Sequence, residues 1–167
     1  MNKILSFILL VLSALCANAQ SQSQQAVETA LVNKVDSLEH ELSYLRVEYE
    51  MQTFLADIKI LSNNIQITAN EIQISIWSRN FNKRVANVYS EKYDVLLTQV
   101  QKYSELAVVK KDYVKAMVTK HNFSVIEVRT LKQMYDLVDL TIAELGSALN
   151  LYKISTDAYS DYCKKYI

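Results

Sequence analysis

The sequence contains no proline and only one glycine, Gly146, in 167 residues. Hairpins, tight turns and catalytic loops depend on these two residue types, because they adopt backbone conformations that other residues adopt poorly. Phosphate-binding loops, dinucleotide fingerprints and nucleophile elbows each require more than one glycine. The composition therefore excludes these motifs and predicts a helical chain with very few connections.

An excess of charge of one sign is also lacking, since 18 basic residues balance 18 acidic ones. A nucleic-acid interface needs a basic surplus on one face, so no nucleic-acid partner is expected. The two histidines, His40 and His121, are far apart, and neither follows a glutamate by three residues as in the metal sites of helical bundles. No catalytic, cofactor-binding or metal-ligating residue is assigned, and the sequence predicts a protein that is not an enzyme.

The N-terminus has the three parts of a secretory signal peptide. Lys3 is followed by an uncharged run over residues 4–17 and by the small-x-small sequence Ala17-Asn18-Ala19. The run is shorter than the about 20 residues that a membrane-spanning helix needs. We expect cleavage of residues 1–19, export to a periplasm or the extracellular space, and no stable membrane insertion afterwards. The polar residues 20–25 predict a disordered lead-in.

Cleavage would leave Cys163 as the single cysteine, so an intramolecular disulfide is excluded. Two interpretations of this thiol remain open. It forms an intermolecular disulfide in an oxidising compartment, or it is a small apolar residue buried on the seam of its helix.

Helix one is predicted over residues 26–77. Apolar residues recur there in steps of four and three: Leu31, Val35, Leu38, Leu42, Leu45 and Tyr49. In a parallel coiled coil with Leu38 and Leu45 at d positions, Lys34 faces Glu39 of the partner and Glu41 faces Arg46. Both pairs are of opposite charge. The pattern predicts self-association through Leu38, Leu42 and Leu45; burial of the same stripe within the monomer is the open alternative.

After Tyr49 the apolar register slips to a second stripe: Phe54, Ile58, Leu61, Ile65, Ile72 and Ile76. Such a slip changes the local coiling or passes the helix to a different neighbour. The alternating isoleucines of residues 65–76 also suit a strand. Without turn residues or a partner strand elsewhere, a continuous helix is favoured.

Two turns separate three helices. The first turn is predicted around residues 77–82, where Ser78, Asn80 and Asn82 are each suited to cap a second helix over about residues 82–121. Ser124 and Glu127 have the spacing of a capping box, which predicts that a third helix covers about residues 125–166.

Helix three carries two apolar stripes. The first recurs from Val128 in steps of three and four, with Thr156 as its one polar member: Leu131, Tyr135, Val138, Ile142, Leu145, Leu149, Tyr152, Thr156, Tyr159, Cys163 and Tyr166. The second comprises Leu137, Leu140, Leu151, Ile154 and Ala158. With one stripe for each of two neighbours, residues 26–167 predict a single all-α domain, an elongated antiparallel three-helix bundle with coiled-coil-like packing. Close approach of a neighbouring helix would account for Gly146 within helix three.

Tyrosine is abundant, with 11 in the chain, and it is concentrated near the C-terminus. Tyr159, Tyr162 and Tyr166 form a candidate interface, because tyrosine contributes a large rigid ring at low entropic cost. The alternative is that these rings lie at the edge of the core with their hydroxyls in water.

These features favour an exported, non-catalytic structural or interaction protein that binds itself or an envelope assembly through protein partners. A periplasmic client-binding module or holdase-like chaperone is the alternative. A signal peptide followed by an almost entirely helical chain resembles the periplasmic helical proteins of conjugation and type IV secretion systems, including the minor pilin and conjugal-transfer families. This resemblance implies a structural role in a DNA-transfer apparatus, with protein partners rather than direct DNA contact.

Overall fold

The computed structural model contains three helices, α1 (Asn2–Trp77), α2 (Lys83–Lys120) and α3 (Val125–Tyr166). It describes the backbone of residues 2–167 and the side chains of residues 23–167. No strand occurs in that part of the chain, so the all-α prediction is confirmed and the strand interpretation of residues 65–76 is wrong. The predicted signal peptide, residues 1–19, lies outside the residues whose side chains are described.

The predicted disordered lead-in, residues 20–25, differs from the structure, in which residues 23–25 are helical. The Thr29 hydroxyl donates a hydrogen bond to the Gln25 carbonyl at 2.8 Å, as threonines within helices commonly do. Because neither proline nor glycine interrupts the segment, its polar side chains do not prevent the backbone from continuing the helix.

The chain divides into two compact units, residues 1–43 and residues 44–167. The first unit consists of α1 alone. Every apolar side chain described in it is exposed. It therefore has no hydrophobic core of its own in the described residues.

The second unit is a three-helix bundle formed by the rest of α1 with α2 and α3. Lys110 on α2 forms an ion pair with Glu50 on α1, with 2.9 Å between Nζ and Oε2. On α3, the Tyr152 hydroxyl donates to the Tyr89 carbonyl of α2 at 3.1 Å. Residue numbers on α2 fall as those on α1 and α3 rise, so α2 is antiparallel to both neighbours.

The core of this bundle uses the second stripe of α1. Its buried residues recur in steps of three and four: Val47, Met51, Phe54, Ile58, Ser62, Ile65, Ala69 and Ile72. On α3 the first predicted stripe is largely buried, from Leu131 to Cys163. The core-facing stripe begins at Val47, close to the register slip predicted after Tyr49, and four of the six residues predicted for it are buried, while Leu61 and Ile76 are half-buried.

Most of the second stripe of α3 is not buried, although Leu151 and Ala158 are half-buried, and this corrects the argument that each stripe meets a different neighbour. Leu137, Leu140 and Ile154 are exposed. Small residues at intervals of seven, Thr141, Ala148 and Ser155, are buried beside the first stripe and widen the buried face of α3. One broad face therefore accommodates both neighbouring helices.

Two local predictions have clear outcomes. The capping box is present, since the Glu127 amide donates to the Ser124 side chain and the Glu127 carboxylate accepts from the Ser124 amide.

Gly146 is exposed, and a Cβ placed there would meet no atom within 4 Å. Close approach of a neighbouring helix within the monomer is therefore not the reason for this glycine.

Candidate functional site

The seam residues predicted on α1 are exposed. Their exposed fractions range from 46% for Leu38 to 70% for Tyr49. Leu42 and Leu45 fall between these values. Single exposed apolar residues are ordinary, but a helical row of them marks an interaction surface.

An exposed stripe continues along α1 in the second unit. After two consecutive steps of four from Leu45, the spacing of three and four resumes, and we call the following residues the outer stripe: Thr53, Ala56, Ile60, Asn63, Ile67, Asn70, Ile74 and Trp77. Ile60, Ile67 and Ile74 are 56–59% exposed, and Trp77 is 80% exposed. The doubled step of four is a stutter in a heptad pattern.

Sequence reasoning missed the outer stripe. The available signal was the seven-residue spacing of Ile60, Ile67 and Ile74. The signal was overlooked because the core-facing stripe on the same helix has the same spacing. In addition, the outer stripe has Asn63 and Asn70, rather than leucines, between its isoleucines.

The charged residues beside the seam are accessible. Arg46 forms an exposed ion pair with Glu50, with 3.2 Å between Nε and Oε1. Glu50 also accepts a hydrogen bond from Lys110, and this bond is the largest of the interactions that hold the Glu50 pKa below its usual value.

Tyr159 does not belong to a surface, which corrects the candidate interface at the C-terminal tyrosines. It is 2% exposed. Its hydroxyl donates to the Asn80 carbonyl at 2.9 Å and accepts from the Asn82 amide at 3.0 Å. Burial raises the Tyr159 pKa above its usual value. The residue therefore fastens the α1–α2 turn to α3.

Tyr162 and Tyr166 are exposed and stack with Phe81 of the α1–α2 turn. The Phe81 ring lies 5.6 Å from that of Tyr162 and 5.9 Å from that of Tyr166, with interplanar angles of 8° and 10°. With Trp77 these rings border an open recess of about 480 Å³, whose wall also includes Arg79. We call Trp77, Phe81, Tyr162 and Tyr166 the aromatic end.

Cys163 lies in the core and is a free thiol. Of the two interpretations, the structure supports the small buried residue, because a thiol that is 2% exposed is not accessible to a second chain. Its place on the first stripe of α3 agrees with the spacing of that stripe.

The described residues contain no group of three or more histidine, cysteine or acidic side chains placed to hold a metal ion. Within the same residues, no helix has both the length and the apolar character needed to cross a membrane. His121 stacks on Phe123, with 5.5 Å between ring centroids.

Comparison of the chain with protein-family models, with curated proteins and with solved structures found no match. The seam, the outer stripe and the aromatic end are therefore the features from which a function is inferred.

Proposed function

We propose that this protein is an exported, non-catalytic structural or interaction protein that assembles by pairing α1 with α1 of a second copy. The observation that carries the proposal is the exposed seam from Leu31 to Tyr49, whose apolar residues recur at coiled-coil spacing and are 46–70% exposed. The apolar stripe of such a helix is unfavourably exposed to water, and pairing with a second helix buries it.

The magnitudes are adequate for reversible association. Full burial of a leucine or isoleucine contributes about 1.5–3 kcal/mol, and the seam residues are roughly half exposed. Two six-residue seams would together gain on the order of 10 kcal/mol. Association costs about 4–15 kcal/mol. The seam alone therefore supports a weak dimer, and burial of Ile60, Ile67 and Ile74 would strengthen it.

Charge favours the parallel orientation. In a parallel pair Lys34 faces Glu39, and Glu41 faces Arg46, so both contacts join opposite charges. Exposed ion pairs contribute less than about 1 kcal/mol each. They select register and orientation, while the apolar seam supplies the strength.

Light scattering on a sizing column tests the proposal with residues 20–167 over a range of concentrations. The double variant Leu42→Glu, Leu45→Glu introduces charge into the seam and should give a monomer. Its matched control is Leu137→Glu, Leu140→Glu, because these leucines have the same spacing and are also exposed, but on α3. A wild-type monomer at every concentration, or equal loss of dimer in both variants, would contradict the proposal.

A client-binding module is the second candidate, because exposed apolar residues also occur on α3 at Leu137, Leu140 and Ile154. This function predicts that the native protein suppresses aggregation of an unfolded client and binds an apolar dye. It further predicts that Leu137→Glu, Leu140→Glu reduces both activities. Dye binding that falls as the protein concentration rises would instead favour assembly, since the seam is then covered by a second copy.

Export follows from the predicted signal peptide. We propose that residues 1–19 are removed and that the protein acts in a periplasm or outside the cell, including on an envelope assembly of the conjugation type. Mass spectrometry of the exported protein should find Gln20 as the N-terminal residue. An intact N-terminus in the membrane fraction would contradict cleavage.

A further inference from the structure

The end of the bundle where the α1–α2 turn meets the last turns of α3 carries a local surplus of positive charge. Basic side chains there are exposed: Arg79, Lys83, Arg84, Lys164 and Lys165. The one acidic side chain between Trp77 and Arg84 or between Tyr159 and Ile167 is Asp161, which pairs with Lys164 at 3.1 Å. Because the whole chain has a formal net charge of zero, the acidic residues that balance this surplus lie elsewhere in the chain.

Two of these cations lie where the helix dipole disfavours a positive charge, and a third has an unfavourable backbone conformation. Lys83 and Arg84 begin α2, and the positive end of a helix dipole disfavours cations. Arg79 has φ 56°, a left-handed conformation that usually falls to glycine or asparagine. Among the described residues, no carboxylate lies within ion-pair distance of any of the three. Residues that oppose local stability in this way are typical of functional positions.

The aromatic end lies among these cations. Trp77, Tyr166 and Ile167 are exposed, and Trp77 is the only tryptophan of the chain. Tryptophan and tyrosine are the residues enriched at the boundary between a bilayer and water. Clusters of lysine and arginine beside them bind anionic lipids.

We propose that the aromatic end binds the surface of an anionic lipid bilayer, with Trp77 and Tyr166 in the headgroup region and the surrounding cations against the lipid phosphates. Only Arg79 of the five cations lines the recess. The other four lie within three residues of Phe81, Tyr162 or Tyr166 in the chain but do not line the recess, and this spread suits an extended anionic surface better than one small anion. This inference does not depend on the proposed pairing of α1.

The test uses the full chain, because the fluorescence of its single tryptophan, Trp77, reports on this end alone. Vesicles of phosphatidylcholine with phosphatidylglycerol should shift the emission to shorter wavelength, and added salt should reverse the shift. Pure phosphatidylcholine vesicles should not shift it. An equal shift with both kinds of vesicle would overturn the proposal, since an apolar N-terminal segment or uncharged contacts would then suffice.

The decisive variant is Lys83→Glu, Arg84→Glu. Acidic residues at the start of α2 favour the helix dipole, so this variant should fold at least as stably as the wild type. Each lysine or arginine beside an anionic membrane raises the affinity for it about fivefold. Loss of these two cationic side chains should therefore lower the affinity for vesicles at least about 25-fold. The matched control Lys102→Glu, Lys132→Glu reverses two exposed cations elsewhere and should bind as the wild type does.

Two further arms separate the alternatives. The same shift in the Leu42→Glu, Leu45→Glu background would show that vesicle binding does not require pairing of α1. A shift of the Trp77 emission with soluble polyglutamate but not with anionic vesicles would overturn the proposal. It would indicate that the partner is an acidic protein rather than a lipid.

Discussion

Tyr159 and Asn80 are 79 residues apart in the chain, yet the tyrosine hydroxyl donates to the asparagine carbonyl at 2.9 Å. The same hydroxyl accepts a hydrogen bond from the backbone N–H of Asn82. The side chain of Asn82 is the N-cap of α2. One oxygen therefore holds the end of α1 and the start of α2 against α3. This contact gives the aromatic end its shape, because Phe81 lies between the two asparagines.

Tyr159→Phe should lower the free energy of unfolding by about 1–3 kcal/mol, because it removes both hydrogen bonds and leaves two backbone groups unpaired. Urea unfolding monitored by circular dichroism measures the change. Tyr162→Phe is the control, since this exposed ring keeps its stacking on Phe81 without a hydroxyl, and its effect should be near zero. Equal effects of the two substitutions would show that the Tyr159 hydroxyl does not fasten the turn.

Stability should decline in alkaline solution between about pH 10 and pH 12. Burial raises the pKa of Tyr152 from 10.0 to about 12, so the folded chain retains a proton that the unfolded chain releases. The contribution of the protonated Tyr152 to the free energy of unfolding is complete below pH 10. It is lost as the pH rises toward 12, and the loss is about 2–3 kcal/mol.

Tyr152→Phe should reduce this alkaline decline, although it also removes the hydrogen bond to the Tyr89 carbonyl and lowers stability at pH 8. Urea unfolding from pH 8 to pH 11.5 measures both effects. Tyr166→Phe, at an exposed tyrosine, should leave the slope unchanged. The same slope in the wild type and in Tyr152→Phe would exclude Tyr152 as the responsible group.

Gly146→Ala should stabilise the protein by up to about 1 kcal/mol, because alanine is the better helix former and the new methyl group meets open space. Thermal unfolding measures the gain. A loss of stability in the wild-type background, but a gain in the Leu42→Glu, Leu45→Glu background, would mean that a second chain approaches Gly146 in the assembled protein.

Arg79→Gly should raise stability by about 1 kcal/mol, because glycine adopts φ 56° without a steric cost. Arg79→Ala is the matched control, since it removes the same guanidinium group but keeps the unfavourable conformation. Both variants should bind anionic vesicles about fivefold more weakly than the wild type. If Arg79→Gly is not more stable than Arg79→Ala, the left-handed conformation carries no cost at this turn.

Local patterns were sufficient to predict the three helices and the second turn. The absence of proline, the near absence of glycine and the spacing of Ser124 and Glu127 involve residues close together in the chain, so their effect does not depend on distant contacts. The same is true of the first stripe of α3, which is long and regular. The disordered segment at residues 20–25 was predicted from composition alone. The helical backbone of residues 23–25 shows that polar residues adopt the helical conformation where neither proline nor glycine interrupts the helix.

The sequence by itself determined that this chain forms three helices and that the second turn ends at Ser124, because helix period and capping are short-range properties. For the first turn it left three possible caps, Ser78, Asn80 and Asn82. Only the tertiary structure decided which stripe of α1 is buried, since the core-facing residues and the seam have the same period and similar hydrophobicity. It likewise placed Tyr159 inside and Tyr162 outside, although both are tyrosines within one turn of α3. Burial depends on which neighbouring helix covers a face, and that is a relationship between residues far apart in the chain.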